Sequence, residues 1–179
     1  MKEVEIKARL REKEKITNNL KKLGCIFEES CTQEDIVYVR NVGSLTDYLS
    51  NDVFLRIRVK NDNKVFFTVK KRGLNNLDAI EHEVEINIKE EMEKALLLLG
   101  YKEAVRVSKT RVVTHYNDCE ICLDDVKELG TFIEMEKLTQ EGDSELIQTE
   151  LFKFFESIGI DRKDRVTSGY DILMIKKDK

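Results

Sequence analysis

The sequence predicts an α+β fold in which antiparallel strands close into a barrel of two related halves, with helices on its outside. Three observations lead there. First, Glu3, Glu5 and Lys7 alternate with Val4, Ile6, Ala8 and Leu10, and side chains two apart on a strand share a face. The same alternation returns in Leu55-Arg56-Ile57-Arg58-Val59, in Val65 to Lys70, in Glu81 to Ile86 and in Ile133-Glu134-Met135-Glu136. One such strand is a solvated sheet face, but several together suggest a charged lumen. Second, Asn61-Asp62-Asn63 between two strand patterns is a hairpin turn signal, which favours antiparallel pairing over βαβ units. Third, Glu3-x-Glu5 followed by Leu23-Gly24 parallels Glu83-x-Glu85 followed by Leu99-Gly100, a loose internal repeat.

The elements follow in order. A strand is expected over 2–10, then a helix over 12–23, where Ile16, Leu20 and Leu23 recur at helical spacing before Gly24, a C-terminal cap. Strands are expected over 33–40, 53–60, 64–71 and 80–88. A second helix over 89–99 is stopped by Gly100. Four further strands are placed over 103–110, 111–117, 119–125 and 131–138. The third helix, 144–158, carries Leu146, Ile147, Leu151, Phe154, Phe155 and Ile158 on one side and ends at Gly159. The Leu96 to Leu99 run and Phe152, Phe154 and Phe155 are expected to pack on the barrel's exterior.

Composition narrows the function. A chain of 179 residues with 41% hydrophobic content suits one domain, 1–179, with its own core. Charged residues reach 37%, yet 31 basic side chains nearly balance 35 acidic ones, for a net charge of -4. That balance argues against a broad nucleic-acid surface, which needs a basic excess. The longest aliphatic run, Ala95 to Leu99, falls far short of the roughly 20 residues that span a bilayer, and the N-terminus opens on a strand pattern. Neither membrane insertion nor secretion is expected, so the location is read as cytoplasmic. Cys25, Cys31, Cys119 and Cys122 are then expected to be free thiols. Cys119-x-x-Cys122 is a weak zinc motif, since residues three apart on a strand face opposite ways. His82 and His115 are read as surface or packing residues.

The inward faces collect seven acids, Glu3, Glu5, Glu83, Glu85, Asp124, Glu134 and Glu136, and six bases, Lys7, Arg56, Arg58, Lys70, Lys109 and Arg111. Burying like charges together is costly, so each set needs a partner of opposite sign. Clustered carboxylates suit Mg²⁺ or Mn²⁺, and Arg forks with Lys ammonium groups suit phosphate oxygens. A polyphosphate bound with divalent metal would satisfy both sets. An isolated ExE is by itself a weak signal, and Arg56 with Arg58 could be ordinary cross-strand ion-pair partners. Together with Lys7 and Lys70 they favour anion binding.

In that order along the chain, Glu3-Val4-Glu5-Ile6-Lys7, Leu55-Arg56-Ile57-Arg58, Thr68-Val69-Lys70, Lys109-Thr110-Arg111, and Cys122 to Val126 leading to Phe132-Ile133-Glu134-Met135-Glu136 resemble the CYTH family, the triphosphate tunnel metalloenzymes. The resemblance covers about residues 1–175. It implies an eight-stranded antiparallel tunnel, dependence on Mg²⁺ or Mn²⁺, and a nucleoside triphosphate or other small triphosphate as substrate. It also implies metal-binding roles for Glu3, Glu5, Glu134 and Glu136, with Asp124 and Glu83 or Glu85 as further ligands. Triphosphate-binding roles fall to Lys7, Arg56, Arg58, Lys70, Lys109 and Arg111, and catalytic ones to Glu5, Lys7, Arg58 and Glu136. Gln33-x-Asp35 and Tyr38 resemble the family's second strand and Tyr170 its C-terminal tyrosine. The family's adjacent Ser-Tyr is here Ser168-Gly169-Tyr170.

Within the family, the Val-Glu-Ile-Lys start, Leu-Gly-Tyr after the central helix and Leu-Asp-Asp-Val-x-x-Leu-Gly-x-Phe look most like class IV adenylyl cyclases, and related cyclases imply a homodimer. Triphosphate hydrolysis is the alternative reaction, on tripolyphosphate, thiamine triphosphate or a nucleotide. A non-catalytic module that senses polyphosphate or nucleotide is a third reading.

Overall fold

A computed structural model describes residues 2–73, 77–140 and 143–177. Eight antiparallel strands form its body: β1 (Lys2–Arg9), β2 (Cys31–Val39), β3 (Val53–Lys60), β4 (Lys64–Arg72), β5 (Asp78–Ile86), β6 (Lys102–Tyr116), β7 (Cys119–Val126) and β8 (Gly130–Thr139). Their order around the sheet is β5-β4-β3-β2-β6-β7-β8-β1, and β1 pairs back onto β5 through Lys2↔Ile80 and Glu3↔Ala79. The barrel is therefore closed. A two-residue strand, β9 (Arg165–Val166), pairs with β1 at Lys7 and Ala8, beyond the reach of β5.

The wall has an internal two-fold pattern. Advancing each strand by four, so that β1 becomes β5 and β5 returns to β1, reproduces every neighbour pairing in the ring. Between β1 and β2 lies α1 (Lys13–Lys22), and between β5 and β6 lies α3 (Lys89–Leu98). The shift from residue 2 to 78 and from 13 to 89 is the same, 76 positions. Glu5 thus corresponds to Glu81 and Lys7 to Glu83. The internal repeat read from the sequence is real, but its register sets Ala79-x-Glu81, rather than Glu83-x-Glu85, against Glu3-x-Glu5.

Outward apolar faces are covered by helices. Ile6, Ala8, Ile121, Leu123, Ile133 and Met135 are buried with Ile16 and Leu20 of α1 and with Leu151, Phe152, Phe155 and Ile158 of α4 (Ser144–Ile158). Asp143 caps α4 by accepting the amides of Glu145 and Leu146, and Gly159 ends it at φ 101°, a left-handed conformation that glycine adopts without strain. On the other half, α3 packs Leu96 over Ile36, Tyr38, Leu55 and Ile57.

Three expectations change. The stretches 103–110 and 111–117 are one 15-residue strand, β6. Lys109-Thr110-Arg111 contains no turn residue, and the length is needed because 102–111 pairs with β2 while 109–116 pairs with β7. Two short helices are additional: α2 (Leu45–Leu49), opened by a reciprocal Ser44–Asp47 capping box, and α5 (Tyr170–Lys177). Both pack against Val37, Val39, Phe54 and Val105 through Tyr48 and Ile172. Of the Leu96 to Leu99 run only Leu96 is buried; Leu97, Leu98 and Leu99 face solvent, as does Leu146. The four cysteines are free and buried, and His82 and His115 are exposed. Among the described residues no helix is long and apolar enough to cross a membrane.

Candidate functional site

The parity that buries Val4 on the outer face, and Ile6 and Ala8 there beneath helices, turns Glu3, Glu5 and Lys7 into the barrel. The other strands obey the same rule, and their inward side chains line a cavity of about 300 Å³. Glu3, Glu5, Lys7, Arg56, Arg58, Lys70, Glu83, Lys109, Arg111, Glu134 and Glu136 all line it.

On the β1 and β8 side, carboxylate oxygens of Glu3, Glu5 and Glu136 lie within 4.8 Å of one another. Glu5 and Glu136 are cross-strand partners, which places two acids side by side. Burial, then the Glu134 charge, pushes the Glu5 carboxyl up to about 8, and burial, then Glu3, does the same to Glu136. Three half-buried carboxylates that resist ionising together and offer only oxygen donors fit a hard divalent ion such as Mg²⁺ or Mn²⁺, which would offset their charge. The donor set therefore fits the metal that the sequence implies.

Glu134 and Asp124 are used differently. Lys7 Nζ lies 2.9 Å from both Glu134 Oε1 and Glu5 Oε1. Arg111 grips Asp124 with Nε and Nη2 at 2.7 and 2.6 Å, and Nη2 also donates to Glu134. Tyr170 Oη donates to Asp124 Oδ2 at 2.9 Å, its ring lying 4.2 Å beneath Lys7 Nζ and 5.0 Å from Lys109 Nζ. Burial works against the Lys7 ammonium, but Glu134 and Glu5 outweigh it and hold its pKa above the usual lysine range. Burial likewise opposes the Glu134 carboxylate, and Lys7 and Arg111 win, holding it well below the usual range. These two acids fix bases in place.

The β2 to β4 side is built from Arg58, which grips Asp35 at 2.6 and 2.8 Å. Arg56 Nη2 donates to Thr68 Oγ1 and to Glu83 Oε2, both at 3.2 Å, and Thr68 donates to Glu83 at 2.8 Å. Lys70 contacts Glu81; burial, then Arg56, lowers its pKa to about 8. Lys109 Nζ stands 3.8 Å from Asp124 and 4.0 Å from Asp35, beyond hydrogen-bonding distance, so its donors remain available. The result is a carboxylate cluster on one wall and guanidinium and ammonium groups around it, an arrangement that can hold a metal and a polyphosphate together.

Of the seven acids singled out in the sequence, three form the cluster. Asp124 and Glu134 bind bases, Glu83 sits with Arg56, and Glu85 is exposed and does not line the cavity. Tyr38 faces outward and donates to Glu93 of α3 at 3.0 Å. Ser168 meets Lys7 Nζ through its carbonyl oxygen, at 3.5 Å. The sequence reading overlooked Glu81, Arg72, Glu120 and Asp171, which also line the cavity. The alternation in Glu81-x-Glu83 and Lys70-x-Arg72 could have found two of them.

Comparison with known proteins agrees with this architecture. Residues 1–170 match the family described as the CYTH domain. A Methanocaldococcus jannaschii protein named as a supposed adenylate cyclase is 32% identical over 171 residues, 94% of this chain and 95% of the relative. A solved structure from Pyrococcus horikoshii OT3 is 30% identical with a TM-score of 0.83, covering 98% of this chain and 99% of that one. A Hippeastrum protein, described as a supposed adenylyl cyclase with a dominant triphosphatase activity, shares the fold at 19% identity and a TM-score of 0.63, over 100% of this chain and 97% of that one.

Proposed function

The chain belongs to the CYTH family, and from that premise we propose that it is a divalent-metal-dependent enzyme acting on a triphosphate, with conversion of ATP to cyclic AMP and pyrophosphate as its leading reaction. One observation carries the reading: the Glu3, Glu5 and Glu136 cluster faces the same cavity as Lys7, Arg56, Arg58, Lys70, Lys109 and Arg111. Neither set alone would need the other. The name of the Methanocaldococcus relative supports the cyclase reaction.

In this reading, Glu3, Glu5 and Glu136 hold Mg²⁺ or Mn²⁺. An ion held there would supply a lowered pKa at the attacking hydroxyl and positive charge against the leaving oxygens. Arg58 and Arg111, each fixed by a bidentate carboxylate, present their outer edges to the phosphates without reorganising, which is where such groups are most effective. Lys109 and Lys70 supply ammonium donors. Lys7, locked by Glu5 and Glu134, keeps a positive charge beside the cluster. The ribose 3′-hydroxyl attacks the α-phosphorus, and pyrophosphate departs into the cationic wall.

A second reading, triphosphate hydrolysis, is favoured by the cavity's lining, which is charged along most of its surface and supplies phosphate ligands more readily than a base pocket. The activity described for the Hippeastrum protein points the same way. Water then attacks the terminal phosphorus. Incubation with ATP and Mg²⁺ or Mn²⁺, followed by separation of cyclic AMP and pyrophosphate from ADP and phosphate, decides between them. Binding without turnover of ATP, tripolyphosphate or thiamine triphosphate would leave a sensing module.

A further inference from the structure

The cavity contains a seventh inward base with an unusual setting. Arg72 is the last residue of β4, two positions beyond Lys70 and on the same face. Its guanidinium carbon lies 4.7 Å from the Phe54 ring centroid and 5.1 Å from that of Tyr48. Two rings therefore hold the group, with Nε donating to the Asn51 carbonyl at 3.3 Å. Its Nη2 is buried and makes no hydrogen bond among the described residues. The carboxylate beside it, Asp171 Oδ2, is 3.9 Å away and already accepts from Tyr48 Oη.

Leaving a charged donor buried without an acceptor is costly, and a guanidinium needed only for packing would close that gap. Here the Asp171 carboxylate is engaged by the Tyr48 hydroxyl instead. Across the wall, Arg72 pairs with Ala79 of β5, which pairs with Glu3 of β1. The methyl of Ala79 is the only side chain between Arg72 and the carboxylate cluster in that row.

We propose that Arg72 is a further substrate-contacting residue, whose guanidinium binds phosphate oxygens of the triphosphate beside the carboxylate cluster, with Asp171 and Tyr48 as positioning residues. The inference rests on the cavity's being a triphosphate site. A planar, ring-clamped guanidinium is suited to two phosphate oxygens at once, which an ammonium is not.

Calorimetric titration of inorganic tripolyphosphate into the full chain, with and without Mg²⁺, tests this alongside thermal unfolding. Arg72→Gln should raise Kd by about tenfold or more, and Arg72→Lys by a smaller factor. Tyr48→Phe, which frees Asp171 to close on Arg72, should weaken binding several-fold with the arginine intact. If Arg72→Gln and Arg72→Lys lower the melting temperature but bind within about twofold of wild type, Arg72 is structural and the proposal is overturned. Lys70→Gln separates the two levels of inference. Wild type that binds and Lys70→Gln that binds weakly, with both Arg72 variants unaffected, removes only the role of Arg72. A wild type that does not bind tripolyphosphate removes the triphosphate reading as well.

Discussion

Two walls of the barrel occupy equivalent places in its internal two-fold pattern and carry opposite chemistry. On one, Glu5 of β1 faces Glu136 of β8 across the ladder, with Glu3 beside them. On the other, Glu81 of β5 faces Lys70 of β4, and the position matching Glu3 is Ala79. A lysine for a glutamate and an alanine for another turn a cation-attracting corner into a self-neutralised one. The same inversion occurs one layer over. Asp35 on β2 holds Arg58 on β3, whereas at the matching strands Arg111 on β6 holds Asp124 on β7. Duplicated backbone thus supplies paired anchoring points, and the sign of each pair is set by which strand carries the acid.

The comparison breaks most decisively at the acidic wall. Glu5→Gln or Glu136→Gln should abolish product formation, by about a thousandfold or more, with the strand signal in circular dichroism retained. Wild-type rates in either variant would remove the metal role. On the basic wall, Arg58→Ala should weaken tripolyphosphate binding by about tenfold or more and lower stability by about 3 kcal/mol, because it strands the buried Asp35 carboxylate. Unchanged affinity would show that the basic wall is only scaffolding. A smaller effect sharpens the two-fold comparison itself. Lys70→Glu restores a facing carboxylate pair at Glu81 and should add one weak Mn²⁺ equivalent in a metal titration, while losing affinity for tripolyphosphate.

The smallest expected effect is on pH. Folded Glu5 and Glu136 keep their protons up to about 8, whereas the unfolded groups release them near 4.5. The metal-free folded protein therefore binds more protons than the unfolded chain across that window, and its stability falls as pH rises through it. Above about 8 the depressed Lys70 reverses the slope, since there the unfolded chain holds the extra proton. Melting temperatures taken without divalent ion should decline toward pH 8, and Glu136→Gln should flatten the decline. A rising curve would contradict the crowding of the acidic wall.

Most of this architecture was legible because strand parity is a local property. Once Val4, Ile6 and Ala8 are assigned to a core, Glu3, Glu5 and Lys7 must face the other way, and the same logic recovers Arg56, Arg58, Lys70, Lys109, Arg111, Glu134 and Glu136. Register was harder. Glu85 has the right parity but lies too far along β5, and only the common shift of β1 with α1 and of β5 with α3 shows that Glu81 is the equivalent of Glu5. The division of labour among acids was not legible at all. Whether Asp124 binds metal or Arg111 depends on a partner 13 residues away across a turn, and Tyr170 reaches Asp124 from a helix 46 positions later. The α2 cap was written in Ser44-x-x-Asp47, and Ser168-x-x-Asp171 repeats that spacing at the start of α5.

Closure of the ring also dictates when the site can exist. Glu5 and Glu136 are ladder neighbours 131 positions apart, so on a ribosome β1 emerges long before its partner. At typical synthesis rates that delay is roughly ten seconds; until β5 (Asp78–Ile86) emerges, a little past its middle, β1 has no strand along either edge and is exposed to wrong associations. The nascent chain therefore passes through a long stage in which its helices and hairpins can form but its acidic corner cannot. Variants that slow closure would be cleared by proteases without any defect in the finished cavity.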